Sequence, residues 1–143
     1  MKEVKGDIWK RSGDVRVITT NGYVKRNGEA VMGRGVALQA ARRYQWLPKA
    51  LGEKLLEEGN HVHLFNTPHG ALVTYPVKYN WWQAADPELI ERSAKELIVL
   101  TNEQGWQQVL MVRPGCGNGQ LTWDVVKPIL VPLLDDRFII VER

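Results

Sequence analysis

The run Val109-Leu110-Met111-Val112 passes without a polar spacer into Arg113-Pro114-Gly115-Cys116-Gly117-Asn118-Gly119-Gln120-Leu121-Thr122-Trp123, and no other feature limits the fold as tightly. An apolar run bounded by a turn signal reads as a buried strand. Glycines alternating at 115, 117 and 119 make a turn that a ligand can approach closely, and Thr122 offers a hydroxyl as the N-cap of a following helix. Strand, glycine turn and helix start place backbone N–H groups around a small concave space, where the helix N-terminus favours negative charge. Such a unit suits a phosphate or diphosphate. It lacks the Gly-Lys-Ser/Thr ending of an ATPase phosphate loop and the spacing of a dinucleotide fingerprint. A mobile glycine turn has the same composition, so a functional reading needs a second element.

That element lies upstream. Thr19-Thr20-Asn21-Gly22 is followed by a polar loop and then by Val31-Met32-Gly33-Arg34-Gly35-Val36-Ala37-Leu38-Gln39. An asparagine leaves a strand, and a Gly-X-Gly turn opens a helix. Asn21 both donates and accepts hydrogen bonds, as a sugar hydroxyl requires. Gly33 and Gly35 keep side chains away from the helix N-terminus. Asn-Gly alone also marks a tight turn. Paired with the downstream turn, it reads as half of a clamp around a sugar diphosphate.

The rest of the chain alternates strands and helices. Val15–Thr20, Val109–Val112 and Phe138–Val141 read as buried strands. His61–Phe65 and Ala71–Val77 read as neighbouring strands joined by a hairpin-like turn over Asn66–Gly70, and Met1–Val4 as an edge strand. Asp86-Pro87 starts a helix whose apolar face is Leu89, Ile90, Ala94, Leu97 and Ile98, closed by Gly105. Val36–Tyr44 and Pro48–Glu58 are further helices, and Pro128 and Pro132 must kink or shorten one over Thr122–Leu134. The expectation is a single α/β domain over residues 1–143, with a mixed central sheet between two helical layers. Ligands in such folds sit at the carboxyl ends of strands, where both glycine turns fall.

Composition narrows the function. At 143 residues, a domain buries roughly two-thirds of its unfolded surface. No apolar run approaches the roughly 20 residues that cross a bilayer, and the N-terminus has no signal-peptide core, so the expected location is the cytoplasm. The lone Cys116 excludes an internal disulfide and argues against a cysteine metal site. A net charge of +3, with Arg34, Arg42, Arg43, Lys25 and Arg26 near one glycine turn, favours an anionic ligand or partner, nucleic acid included. It does not diagnose DNA binding.

With both turns in place, the sequence resembles the macro domain family, which binds ADP-ribose. The resemblance runs from Gly6-Asp7-Ile8 through Asn21, Met32–Gln39, Lys78 and Gly115–Trp123 to the last strand. It is strongest with the branch of DarG-type DNA ADP-ribosyl glycohydrolases and terminal ADP-ribose glycohydrolases. Met-Gly-X-Gly-X-Ala-Leu and Gly-Cys-Gly-Asn-Gly-X-Leu-X-Trp carry it. The resemblance implies a three-layer α/β/α macro domain and no cofactor or metal. It also implies that Asp7 accepts from the adenine amino group with Ile8 beside it, and that Asn21 contacts the distal ribose. Gly33, Gly35 and Val36, with Gly115, Cys116, Gly117, Asn118 and Gly119, would wrap that ribose and the diphosphate. Asp7 taken alone reads equally as a carboxylate capping a turn.

Lys78, in Tyr75-Pro76-Val77-Lys78-Tyr79-Asn80-Trp81, falls where this branch carries a lysine implicated at the anomeric carbon. Lys78 and Asn21 are the catalytic candidates. A desolvated lysine can serve as nucleophile, proton shuttle or cationic stabiliser, and a solvent-exposed strand-end lysine is the plain alternative. The protein-directed pattern has an acidic residue where this chain has Gly119, and the family's asparagine three residues before Asn21 is Ile18 here. The first departure points to a DNA-directed activity, and the second predicts one weakened polar contact or structural hydrogen bond in a pocket that remains.

The implied function is removal of ADP-ribose, with nucleic acid as acceptor and a cognate ADP-ribosyltransferase toxin as a possible partner. A non-catalytic ADP-ribose reader and an ADP-ribose 1″-phosphate phosphatase are the alternatives. Cys116 near a helix start, His61 and His63 on one strand face, and His69 before Lys78's strand are weaker candidates. Trp81 and Trp82 are expected to stack on a base or rim the cleft, with at least one in the core, and Trp123 to anchor the last helix.

Overall fold

A computed structural model describes residues 1–143. Six strands form one sheet: β1 (Lys2–Lys5), β2 (Val15–Asn21), β3 (His63–Thr67), β4 (Gly70–Lys78), β5 (Val109–Met111) and β6 (Phe138–Glu142). Their order is β1-β6-β5-β2-β4-β3, parallel throughout except for the β3–β4 hairpin, so the sheet is mixed as expected. Four helices cover it: α1 (Gly35–Arg43), α2 (Leu47–Glu58), α3 (Pro87–Gln104) and α4 (Trp123–Leu130).

The two-residue period of the strands divides the core. Val15, Val17, Val73, Tyr75, Val77, Val109, Met111, Phe138 and Ile140 face α3 and α4, where Ile90, Ala94, Leu97, Val126 and Leu130 meet them. Ile18 and Leu72 face the other way, against Ala37 and Ala40 of α1 and Leu47, Leu51 and Leu55 of α2. This is the three-layer α/β/α arrangement. Two buried hydroxyls tie α3 to β4: Tyr75 donates to Ile90 O at 2.6 Å, and Ser93 donates to Pro76 O at 2.7 Å. No helix is long and apolar enough to cross a membrane.

Several expectations shift locally. Asp86 caps α3 by accepting from Glu88 N at 2.9 Å, and Gly105 ends the helix in the left-handed region at φ 71°. Thr122 occupies the N-cap of α4 without making a side-chain cap bond, so helix geometry alone sets that start. Pro128 is held inside α4, which stops at Leu130, well short of Leu134. His61 precedes β3 rather than belonging to it and pairs with Glu96 at 2.9 Å, while buried His63 bonds Gly59 O at 3.0 Å. His69 sits in the β3–β4 turn against Tyr44 Oη at 3.2 Å, at the far end of β4 from Lys78.

Candidate active site at the carboxyl ends of the central strands

β2, β4 and β5 run parallel, so Asn21, Lys78 and the loop after Met111 emerge at one edge of the sheet. The register between β2 and β4 slips there: Thr20 pairs with Pro76, but Asn21 pairs with Lys78. Such a bulge re-aims side chains, and here it brings the two catalytic candidates abreast. Gly22 N and Asn60 Nδ2 both donate to Lys78 O, each at 3.1 Å, which pins the strand end.

These strand ends open into a cleft of about 870 Å³. One wall is the Gly33–Ala37 turn and helix start, the other is Gly115–Gln120, and Trp81, Trp82 and Gln83 close one side. Arg34 is the N-cap of α1 and makes no side-chain cap bond, so the first-turn N–H groups are left for a ligand. Across the cleft, Gly117–Gly119 form a short 3-10 turn. Gly117 adopts φ 70°, a conformation most side chains resist, and a Cβ there would meet no protein atom within 4 Å. The turn's backbone is therefore bare toward its surroundings. Gly119 is buried, and a Cβ would stand 3.1 Å from the Ala85 Cβ, so this loop has little room for the carboxylate of the protein-directed pattern.

Charge in the cleft has one sign. Lys25, Arg34, Lys78 and Arg113 line it, and no aspartate or glutamate does. Arg113 is balanced from behind by Glu142 at 3.0 Å, and Lys25 loosely by Glu29 at 3.9 Å; Arg34 forms no ion pair. Lys78 Nζ donates to Asn118 O at 3.1 Å, spanning from β4 to the glycine loop. Partial burial, and secondarily the Arg34 charge, lower the Lys78 pKa from its ordinary value. Burial pushes the Cys116 thiol up, with Arg113 acting in the opposite direction, and Cys116 Sγ lies 3.8 Å from Pro114 O. This does not describe an activated thiolate.

Asn21 is engaged locally: Nδ2 donates to Val31 O at 3.0 Å, and Oδ1 accepts from Tyr23 N at 2.9 Å. It thereby holds together the loop between β2 and α1, and each polar atom retains capacity for a ligand. Asn21, Gly33, Gly35, Val36, Lys78 and Gly115 through Gly119 all line the cleft. Asp7 and Ile8 do not. Asp7 Oδ1 accepts from Trp9 N at 2.9 Å and its Oδ2 lies 3.8 Å from Arg143, while Ile8 is buried with Leu110 and Val141 beneath Val36. The Asp7 loop is anchored by Arg16, which donates to Ile8 O at 2.8 Å and Arg11 O at 2.6 Å.

Ile18 is fully buried in the α1–α2 face of the core and does not line the cleft. Neither Trp81 nor Trp82 enters the core; both stand at the rim. Trp123 docks on the sheet edge, donating from Nε1 to Glu3 at 2.8 Å under the Arg113 guanidinium. Sequence reasoning missed Tyr23 and Gln83 as lining residues and Asn60 as support. Tyr23 lies two residues past Asn21, but nothing in the pattern marks Asn60, whose role depends on tertiary placement.

No protein-family model matches the chain. Among solved structures, the macrodomain of Mycobacterium tuberculosis DarG superposes with a TM-score of 0.83 at 24% identity, over 99% of this chain and 95% of that one. Thermosipho africanus DarTG in complex with ADP-ribose gives 0.82 at 17% identity, over 99% of this chain and 42% of that one. The fold is that of a macrodomain. In sequence, the chain is 31% identical over 129 residues to the DNA ADP-ribosyl glycohydrolase of Mycobacterium tuberculosis, a match covering 84% of this chain and 36% of the relative. It spans about a third of the length of the curated relatives it matches.

Proposed function

We propose that the protein binds ADP-ribose in this cleft and hydrolyses the bond joining its distal ribose to an acceptor, with nucleic acid as the acceptor class. The observation that carries the reading is Lys78: a lysine with a lowered pKa beside Asn21 in a cationic cleft lined by no carboxylate. The first-turn N–H groups of α1 and the bare backbone at Gly117 suit a diphosphate, with Arg34 supplying charge. Asn21 and the Gly33 turn then meet the distal ribose. Asp7 and Ile8 are assigned the adenine end, beyond Val36.

With no lining carboxylate to serve as general base, the role at the anomeric carbon is assigned to Lys78. In the covalent route, its neutral amine attacks that carbon and the acceptor leaves with the bonding pair and one proton. Water then resolves the sugar–lysine adduct to free ADP-ribose and the amine. As a proton shuttle, the same amine would activate water without an adduct. DNA ADP-ribosyl glycohydrolase is the name of the matched relatives, which supports this reaction class and acceptor. In this reading residues 1–143 form one macro domain, working in the cytoplasm opposite a cognate ADP-ribosyltransferase toxin.

ADP-ribosylated DNA, ADP-ribosylated protein and ADP-ribose 1″-phosphate, assayed side by side, test the proposal. Release of ADP-ribose from the DNA substrate above the other two is expected. Tight ADP-ribose binding with no turnover of any of them would instead make the protein a reader.

A further inference from the structure

The turn after Lys78 breaks the ordinary rule of turn composition. Gln83 N donates to Asn80 O at 3.2 Å, and Gln83 Oε1 accepts from Asn80 N at 3.0 Å and from Asn80 Nδ2 at 3.3 Å. Trp81 and Trp82 therefore hold the two central positions of a closed turn, where glycine, asparagine, aspartate and proline ordinarily sit. Both residues keep about half of their surface in solvent: Trp81 is 50% exposed and Trp82 57%. Their rings meet edge to face at 5.5 Å and 89°, and Tyr23, from the loop after β2, meets Trp82 at 5.4 Å and 68°. Folding gains little from large rings left in water, and a contiguous exposed aromatic cluster marks a binding surface.

All three rings line the cleft that holds Lys78, together with the cations Lys25 and Arg34 and no carboxylate. Flat apolar faces beside positive charge match one chemistry well, a nucleobase joined to a phosphodiester: the base stacks and the backbone is attracted. An acidic peptide would use the charge and leave the indoles without a partner. We propose that Trp81 and Trp82 form a stacking platform for the nucleobase that carries the ADP-ribosyl group. The inference rests on the glycohydrolase reading above and specifies its acceptor. A base reaches such a platform only when it is out of the duplex stack, so the substrate is single-stranded or locally opened nucleic acid.

The probe is a short single-stranded oligonucleotide bearing one ADP-ribosylated base, bound to protein carrying Lys78→Ala so that turnover does not deplete it. Free ADP-ribose and an ADP-ribosylated peptide are the comparison ligands. The oligonucleotide is expected to bind at least about tenfold more tightly than free ADP-ribose. Adding Trp81→Ala and Trp82→Ala together removes that margin and lowers the affinity for free ADP-ribose far less than that for the oligonucleotide, whereas phenylalanine at both positions preserves most of it. Should the double alanine variant fail to fold by circular dichroism, the two single substitutions carry the same comparison. A margin that survives loss of both rings, or that appears with the peptide and not the oligonucleotide, overturns the platform while the ADP-ribose cleft stands. Failure of wild-type protein to bind ADP-ribose overturns the underlying reading, and the platform with it.

Discussion

Lys78 and Arg34 meet electrostatically in the cleft. Burial, then the Arg34 charge, lowers the Lys78 pKa, so its neutral amine forms at lower pH than for a lysine in water. If the free amine is the reacting form, the rate of ADP-ribose release rises with pH through a midpoint below the ordinary lysine value of about 10.4. If the ammonium is the working form, the rate falls through the same midpoint. A pH–rate profile on wild type decides the sign. Lys78→Arg sharpens the question, because a guanidinium keeps the charge and supplies no free amine. Activity near the background level in Lys78→Arg is expected from a nucleophile or shuttle, and substantial retained activity would mark a cationic stabiliser. The sequence marked Lys78 only through its family pattern, since a strand-end lysine has no local signature. Its register with Asn21 depends on a slip between β2 and β4 that no periodicity encodes.

Elements were legible where period and caps agreed. The α3 helix, from the Asp86 cap to Gly105, follows its pattern because an N-cap aspartate, an N1 proline and a left-handed C-terminal glycine all point to one span. Both glycine turns fell at strand ends as expected. What the sequence hid is the support behind the first turn. Helix α2 packs so closely on the loop after β2 that a Cβ at Gly52 would overlap the Gly28 carbonyl oxygen, and Ala30 N donates to Pro48 O at 2.8 Å. A mid-helix glycine looks unfavourable by propensity, and only this tertiary contact explains it. Gly52→Ala is therefore expected to destabilise the fold by about 1–3 kcal/mol despite alanine's better helix propensity. It should also weaken ADP-ribose binding, because the displaced loop leads into Gly33. Urea unfolding and calorimetry check the two effects. A variant more stable than wild type would mean that the contact is slack.

Across the whole molecule, six strands and two cores serve one edge at which three parallel strands end together. The three layers and the mixed sheet could be read from alternating patterns. The exposed placement of Trp81 and Trp82 at the rim could not, because an indole at a turn carries no signal for burial or exposure. The uncompensated cations of the cleft give a global test of how an anionic ligand is held: affinity for ADP-ribose should fall steadily from about 0.05 to 0.5 M salt, as exposed charges are screened over a few ångströms. A flat response would mean that the cleft's cations contribute little to holding the ligand. The central claim, that this is an enzyme acting through Lys78, rests on a comparison of Lys78→Ala with wild type for two quantities: release of ADP-ribose from ADP-ribosylated single-stranded DNA, and affinity for free ADP-ribose. One lost charged hydrogen bond weakens binding by roughly 1.5–3 kcal/mol at most, whereas loss of the reacting group costs several powers of ten in rate at about 1.4 kcal/mol for each. Release should all but vanish in Lys78→Ala while affinity declines far less; full activity in that variant would contradict the account.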